Sequence, residues 1–564
     1  MNTLGIHDWD QHMFYLALPV KVISEYSQLP LWNPWSYGGI VLFEHPEDSF
    51  LSPFTSLYFL FDTPVAVRMS IFLHLVIGMA GITAIARRLF GLRSITLTLA
   101  AGALFAGNGF LALQITSGHM WILTCAYIPW VFYFFERFAA DACKKHLIAG
   151  TLILAIMLVE TGIYTGPYTY LFLLIYAVIQ TVIYRRRSYL KAFSWFVALS
   201  MGFAAVKIFP ALDYLSHYPR LTGNSEMIPL SAFPAIFTGK LQSFQQAYGT
   251  WWQIHGWHEY GCYLGSILAA IVIVSIFVNL LGTPKEKMTR PLLLTGVLFL
   301  GLMLGNYHHL APQTLLHRLP VFNSMHMPGR FLLILTFLMS LSLCAFFVSV
   351  ERRGEAINNK ILRTTALLLF IALLSWGITD MATMNMRNFT QAFSVPAQAL
   401  PPRASLHEYS YIDRLPDFKN SNSALFLALK SNIATIAAYE TIPPKQGFQQ
   451  GKPLVWSAEP KAKITHIIFT PRIMRFDLET PVQTQIILNQ NYVRGWKFHG
   501  SKNEVKEYKN EPSVVLPAGK YKGAYFYYFP SIILLFLLLT IITIIISIYL
   551  PPVIFKKEAN IINY

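Results

Sequence analysis

Two independent patterns coincide along this chain of 564 residues. Apolar stretches of membrane-spanning length recur, and the short connections between them carry Lys/Arg clusters only at every second turn. Arg87, Arg88 and Arg93 share one connection. Clusters follow at Arg137 with Lys144 and Lys145, at Arg185 to Arg187 with Lys191, at Lys285, Lys287 and Arg290, and at Arg352, Arg353, Lys360 and Arg363. The connections around Gly118 and Gly162 have none. A basic side chain resists translocation, so the clustered loops are cytoplasmic and the others face outward. The alternation fixes which residues share a compartment, and every polar group singled out below falls on the outer side.

Composition agrees. At 54% hydrophobic and 13% charged, the chain is too apolar for a soluble globular protein, whose charged fraction is roughly 25%. The net charge of +16 does not point to nucleic acid, because much of the basic excess sits in short cytoplasmic loops, where anionic headgroups account for it. A nucleic-acid footprint is instead a basic face on a soluble module. Cys125, Cys143, Cys262 and Cys344 lie in or beside expected spans, with no disulfide framework and no zinc spacing.

A span needs about 20 mostly apolar residues. Eleven stretches qualify, roughly 65–86, 94–115, 120–136, 146–163, 167–184, 192–209, 262–281, 291–306, 331–350, 364–383 and 529–550. In hydrocarbon a single segment satisfies its own backbone only as a helix. With Lys556 and Lys557 inside, an odd count leaves Met1 outside, although residues 9–28 are too broken by Asp10, Pro19, Lys21 and Glu25 to cross. Either the N-terminus is exported without help or a further helix precedes this sequence, and the second is the favoured expectation. The expected fold is an α-helical polytopic membrane protein of about 11 spans with an extracytoplasmic β-sandwich before the last span. Residues 1–63 are a first outer loop with an acidic motif, 64–383 a transmembrane helical domain with an outer loop at 210–260, 384–526 the β-rich domain, and 527–564 the last span and cytoplasmic tail. The β assignment rests on runs such as Ile464 to Leu478 and Val482 to Leu488, where β-branched residues alternate with a period of two.

Candidate chemistry lies in the outer segments. Asp8 and Asp10 bracket Trp9 at the head of the first loop, and a carboxylate near a membrane surface can take the proton from a hydroxyl nucleophile. The competing reading is a helix cap, since Asp is a favoured N-cap residue. Lys207, Arg220 and Arg330 break the inside bias of the cations. Charges at span edges are costly and serve a partner, for which a lipid phosphate is suited, Arg offering a fork and Lys a point charge. Snorkelling to headgroups is the alternative for Lys207 and Arg330. His119 in the S-G-H turn, Glu160, and His255, His258 and Glu259 in the run WWQIHGWHEYG complete the outward polar set. Their spacing matches no metal-ligand pattern, so no cofactor is assigned, a divalent metal being kept as the alternative. No phosphate-binding glycine loop and no G-x-S-x-G elbow is present.

The segments DWDQH at Asp8 to His12, LPLWNPWSYGG at Leu29 to Gly39, SGHMWILTCAYIPWVFYFFER at Ser117 to Arg137, IFPALDYLSHYPR at Ile208 to Arg220, HEYGCYLG at His258 to Gly265 and LPVFNSMHMPGRFL at Leu319 to Leu332, followed by NQNYVRGWKFHG and LPAGKYKGAYFYYFP, resemble in their order the YfhO-type bacterial membrane proteins, GT-C-like polytopic glycosyltransferases. The resemblance implies a GT-C-like fold in the bacterial plasma membrane, active on its extracytoplasmic face. It implies a polyprenyl-phosphate sugar donor and an envelope glycan or lipid acceptor, with inversion at the anomeric centre. Asp8 or Asp10 would then be the base, Lys207, Arg220 and Arg330 would hold the donor phosphate, and His119, Glu160, His258 and Glu259 would shape the sugar or acceptor pocket. The rival readings are a lipid-linked glycan transporter or flippase, and a non-catalytic membrane protein whose β-domain binds a glycan or partner.

Overall fold

The computed structural model describes residues 8–219, 226–242, 255–282, 288–325, 327–356, 358–393, 411–412, 424–435, 445–449 and 451–549. The chain forms two compact units. One comprises Met1–Val67, Ala205–Leu221 and Val395–Thr540, the other Arg68–Ala204, Thr222–Ser394 and Ile541–Tyr564.

The first unit is built on eight strands: β1 (Val455–Ser457), β2 (Lys463–Thr470), β3 (Ile473–Thr480), β4 (Thr484–Leu488), β5 (Trp496–His499), β6 (Lys506–Tyr508), β7 (Glu511–Leu516) and β8 (Gly519–Tyr528). They make two antiparallel four-stranded sheets, ordered β6-β7-β4-β1 and β2-β3-β8-β5. The period-two pattern has its direct consequence in β3, where Met474, Phe476 and Leu478 point into the core while Arg475 and Glu479 are exposed. A bulge interrupts the β3–β8 register between Tyr521 and Ala524. Gly523 there takes φ +60° and donates its N–H to Asp477 Oδ1 at 2.7 Å, a conformation an L side chain adopts only under strain.

Sequence reading separates residues 1–63 from the β-rich region, but the two share one core. Phe14, Leu18 and Val22 of the helix Trp9–Tyr26, with Trp32 and Trp35, belong to the same buried cluster as Phe476, Val514, Phe526 and Tyr528. The Trp32 ring lies 4.8 Å from those of Trp496 and Tyr528. Its indole N–H donates to Gln490 at 3.1 Å, and Asn491 Nδ2 donates to the carbonyl of Gly39 at 2.9 Å. The W-N-P-W-S-Y-G-G and N-Q-N segments are thus partners, tied by polar groups that burial obliges to find a bond.

Six helices among the described residues are long and apolar enough to cross a membrane: Thr63–Arg88, Ile95–Thr116, Thr165–Val182, Pro328–Glu355, Lys360–Ala392 and Ile532–Tyr549. A seventh is reached if Ser188–Phe203 and Ala205–His217 count as one span. The chain is a multi-pass membrane protein, and the helices of the described residues do not establish the expected count of eleven spans. The other four apolar stretches are helical and short. Ile128–Asp141, Lys144–Val159, Ser266–Leu281 and Thr289–Met303 run 14 to 16 residues, about 21–24 Å at 1.5 Å per residue, against a hydrocarbon core of about 30 Å. Pro328–Glu355 is the heart of the second unit, with 89% of its apolar window buried; Lys360–Ala392 buries 11% and presents its apolar surface outward.

Candidate functional site

In the second unit, four connections that the charge alternation assigns to the outer side converge on Arg330. The apolar run from Ile95 is broken at Asn108, whose side chain accepts from Leu111 N–H at 3.0 Å and so caps the helix Gly109–Thr116. Gly109 follows because a Cβ there would collide with the backbone of Tyr263. The new helix carries Gln114 inward. Thr116 and Ser117 close it by returning their hydroxyls to the carbonyl of Leu113 at 2.9 and 2.8 Å. Gly118, at φ +88°, then turns the chain so that His119 faces back onto Gln114.

Arg330 arrives from the opposite direction. Pro328 opens the turn Pro328–Phe331, and Gly329 lets that turn press against the carbonyl of Glu259, where a Cβ would clash. The next side chain therefore reaches the Glu259 carboxylate with both arms: Nε donates to Oε2 at 2.8 Å and Nη2 to Oε1 at 2.5 Å. The guanidinium also lies 4.3 Å from the Tyr164 ring centroid and 5.1 Å from that of Trp121, an arrangement that stabilises a desolvated cation. Arg330 is 8% exposed and Glu259 2%.

Around this pair the hydrogen-bond geometry is over-determined. Gln114 Nε2 donates to the carbonyl of His258 at 2.6 Å and to Glu259 Oε2 at 3.4 Å. Two acceptors on one side fix the amide's orientation, so its Oε1 must face His119 Nδ1, 2.5 Å away. His119 Nδ1 is consequently the N–H donor, and in the neutral ring Nε2 keeps the lone pair. The His119 and His258 rings are 5.4 Å apart, and His258 Nε2 is 3.9 Å from Glu259 Oε1. Burial alone would raise the Glu259 carboxyl, but the Arg330 charge and hydrogen bonds, with help from the two imidazoles, outweigh it and hold the group well below the usual carboxylate range.

The remaining sequence candidates go elsewhere. Glu160 accepts from Tyr127 OH at 2.7 Å and lies 3.2 Å from His74 Nε2, a group of its own in the second unit. Lys207 belongs to the first unit and is 2% exposed. Its three N–H donors go to the carbonyls of Phe43 and His45 at 2.5 and 2.9 Å and to Asp48 Oδ2 at 3.1 Å. An ammonium so used has no donor left for a phosphate. Neighbouring Glu44 accepts from Tyr528 OH, and burial pushes its carboxyl up to about 7.

Asp10, also in the first unit, is 2% exposed and accepts the backbone N–H groups of Leu425 and Phe426 at 2.9 and 3.0 Å. These are first-turn donors of the helix Ala424–Lys430, left without an intrahelical partner. The cap reading thus applies to a helix more than 400 residues away. Burial raises the Asp10 carboxyl to about 6 against the lowering effect of the two N–H groups. Asp8 is half-buried at the start of Trp9–Tyr26. Arg220 lies outside the described residues.

Sequence reasoning missed Gln114, Trp121 and Tyr164. The signal for Gln114 was present, as a lone amide in an otherwise apolar helix. The two aromatics were indistinguishable from the many other interfacial rings.

No family model and no curated protein matches this chain. Among solved structures it is similar to the single-particle cryo-EM structure of the arabinofuranosyltransferase AftD from Mycobacteria, at 14% identity and a TM-score of 0.43 over 71% of this chain and 26% of that one. It thus spans about a quarter of that protein's length. It is also similar to the crystal structure of ArnT from Cupriavidus metallidurans bound to undecaprenyl phosphate, at 12% identity and a TM-score of 0.44 over 78% of this chain and 84% of that one.

Proposed function

We propose that this chain is a membrane glycosyltransferase that takes a sugar from a polyprenyl-phosphate donor on the extracytoplasmic side and passes it to a hydroxyl of an envelope glycan or lipid. The observation that carries the reading is the buried Arg330 fork, set against two aromatic rings and beside two imidazoles, where loops of one expected face meet. Its two bonds to Glu259 use two of five N–H donors and leave the others for a leaving phosphate. In the reaction the acceptor oxygen bonds to the anomeric carbon, the carbon–oxygen bond to phosphate breaks, and the electron pair departs with the phosphate. The acceptor proton goes to a base. We keep Asp8 or Asp10 of the acidic loop as the candidate for that base, although both Asp10 oxygens already accept backbone N–H groups. Inversion at the anomeric centre follows from a single displacement.

The test is to incubate purified protein in vesicles with a radiolabelled polyprenyl-phosphate sugar. Wild type is expected to move label to an acceptor, Arg330→Lys to do so poorly, and one of Asp8→Asn and Asp10→Asn not at all while still inserting. Label that crosses the bilayer on its lipid, or stays on the donor, overturns the proposal in favour of transport or binding.

A further inference from the structure

We infer that His119, His258 and Glu259 form a binding site for one divalent transition-metal ion. One ligand atom from each lies within 4.8 Å of the other two, and all three residues are buried. Two imidazoles and a carboxylate are a donor set suited to zinc or a neighbouring first-row ion, with a fourth position open. At bond lengths of about 2.0–2.1 Å, tetrahedral ligand atoms lie roughly 3.4 Å apart, so the 3.9 Å between His258 Nε2 and Glu259 Oε1 needs only a small contraction.

A second observation points the same way. Metal-ligating imidazoles almost always donate their other ring N–H to an oxygen, which fixes the tautomer. Gln114 does this for His119. Its amide is held by the His258 carbonyl and Glu259, so its Oε1 receives Nδ1–H and Nε2 keeps the lone pair a cation needs. Arg330 orients the carboxylate, its fork taking one lone pair of each oxygen. The ligands come from two loops 139 positions apart, which is why no spacing rule finds them.

That the ion also meets the donor phosphate rests on the glycosyltransferase reading; that it binds does not. Purified full-length protein, stripped with chelator, is titrated with Zn²⁺ and with Mn²⁺ and its metal content read after desalting. The expected result is about one equivalent per chain, with affinity reduced about 10–100-fold in Gln114→Ala and lost in His258→Ala. X-ray absorption of the loaded wild type should show two imidazole ligands whether or not the variants fold. Asp141, Cys143 and His146 make a second, more exposed group of the same kind, so His146→Ala is the control and should retain the ion. Absence of a bound equivalent, or its loss in His146→Ala but not in His258→Ala, overturns the site. Sugar transfer unaffected in metal-free protein would overturn the ion's contact with the donor phosphate and leave the proposed reaction standing. A bound ion without transfer would do the reverse.

Discussion

Replacing Lys207 with Met distinguishes a structural ammonium from a phosphate ligand. The substitution keeps much of the stem but removes three donors at once, leaving Asp48, fully buried, without its cation and the carbonyls of Phe43 and His45 without theirs. Breaking one partner of a buried ion pair costs about 3–5 kcal/mol, because the remaining charge is stranded. At roughly 2–4 °C per kcal/mol for a unit of this size, the melting temperature should fall by roughly 6–20 °C. The assay is thermal unfolding in detergent followed by intrinsic fluorescence, which Trp9, Trp32 and Trp35 in the same unit make informative. Removing both charges, as in Lys207→Met with Asp48→Leu, should restore most of the loss, since an apolar pair of similar volume is often neutral relative to a buried ion pair. A Lys207→Met protein that melts like wild type while its KM for the donor rises tenfold would refute the reasoning and return Lys207 to the donor phosphate.

Three further outcomes are expected. Glu259→Gln strands a buried guanidinium and should destabilise the second unit by about 3–5 kcal/mol, read by the same melt, while Glu259→Gln with Arg330→Met recovers stability without activity. Gly329→Ala puts a Cβ into the Glu259 carbonyl and should lower transfer by moving Arg330 off its carboxylate, even though Ala is otherwise the mildest replacement; unchanged transfer would show the close approach is dispensable. Asp10 is protonated in the folded protein up to about pH 6 but ionises near its ordinary value when unfolded. Its contribution is therefore full below about pH 4 and lost as pH rises towards 6. The stability difference between wild type and Asp10→Asn should shrink across that window in melts run at successive pH values, and a difference that grows with pH would contradict it.

Much of the architecture is legible from one sequence because its signals are local. Every apolar stretch assigned as a span contains helix, and the strands β2, β3 and β4 overlap the runs that alternate with period two. Span number was not legible, since length in residues does not say where a helix stops: the stretch expected at 120–136 begins as a 3-10 turn over Met120–Tyr127 before its helix starts. The site was legible in part. Arg330 was chosen as a costly charge at a span edge and Glu259, His119 and His258 as outward polar groups, and these four do meet. Asp10 was chosen as a carboxylate able to act as a base and Lys207 as a cation at a span edge, yet their acceptors and donors are consumed by partners far along the chain.

The sequence by itself determined the solvent, a bilayer, because hydrophobicity acts residue by residue. It also determined where helix gives way to sheet, because periodicity is a property of consecutive side chains. Only the tertiary structure decided which polar groups face one another. A buried carboxylate next to two backbone N–H groups is a cap, next to an ammonium it is half of a structural pair, and next to a guanidinium and two imidazoles it is a candidate centre for chemistry. These three environments are made by residues dozens to hundreds of positions apart, and long-range pairing is the information that a linear pattern does not hold.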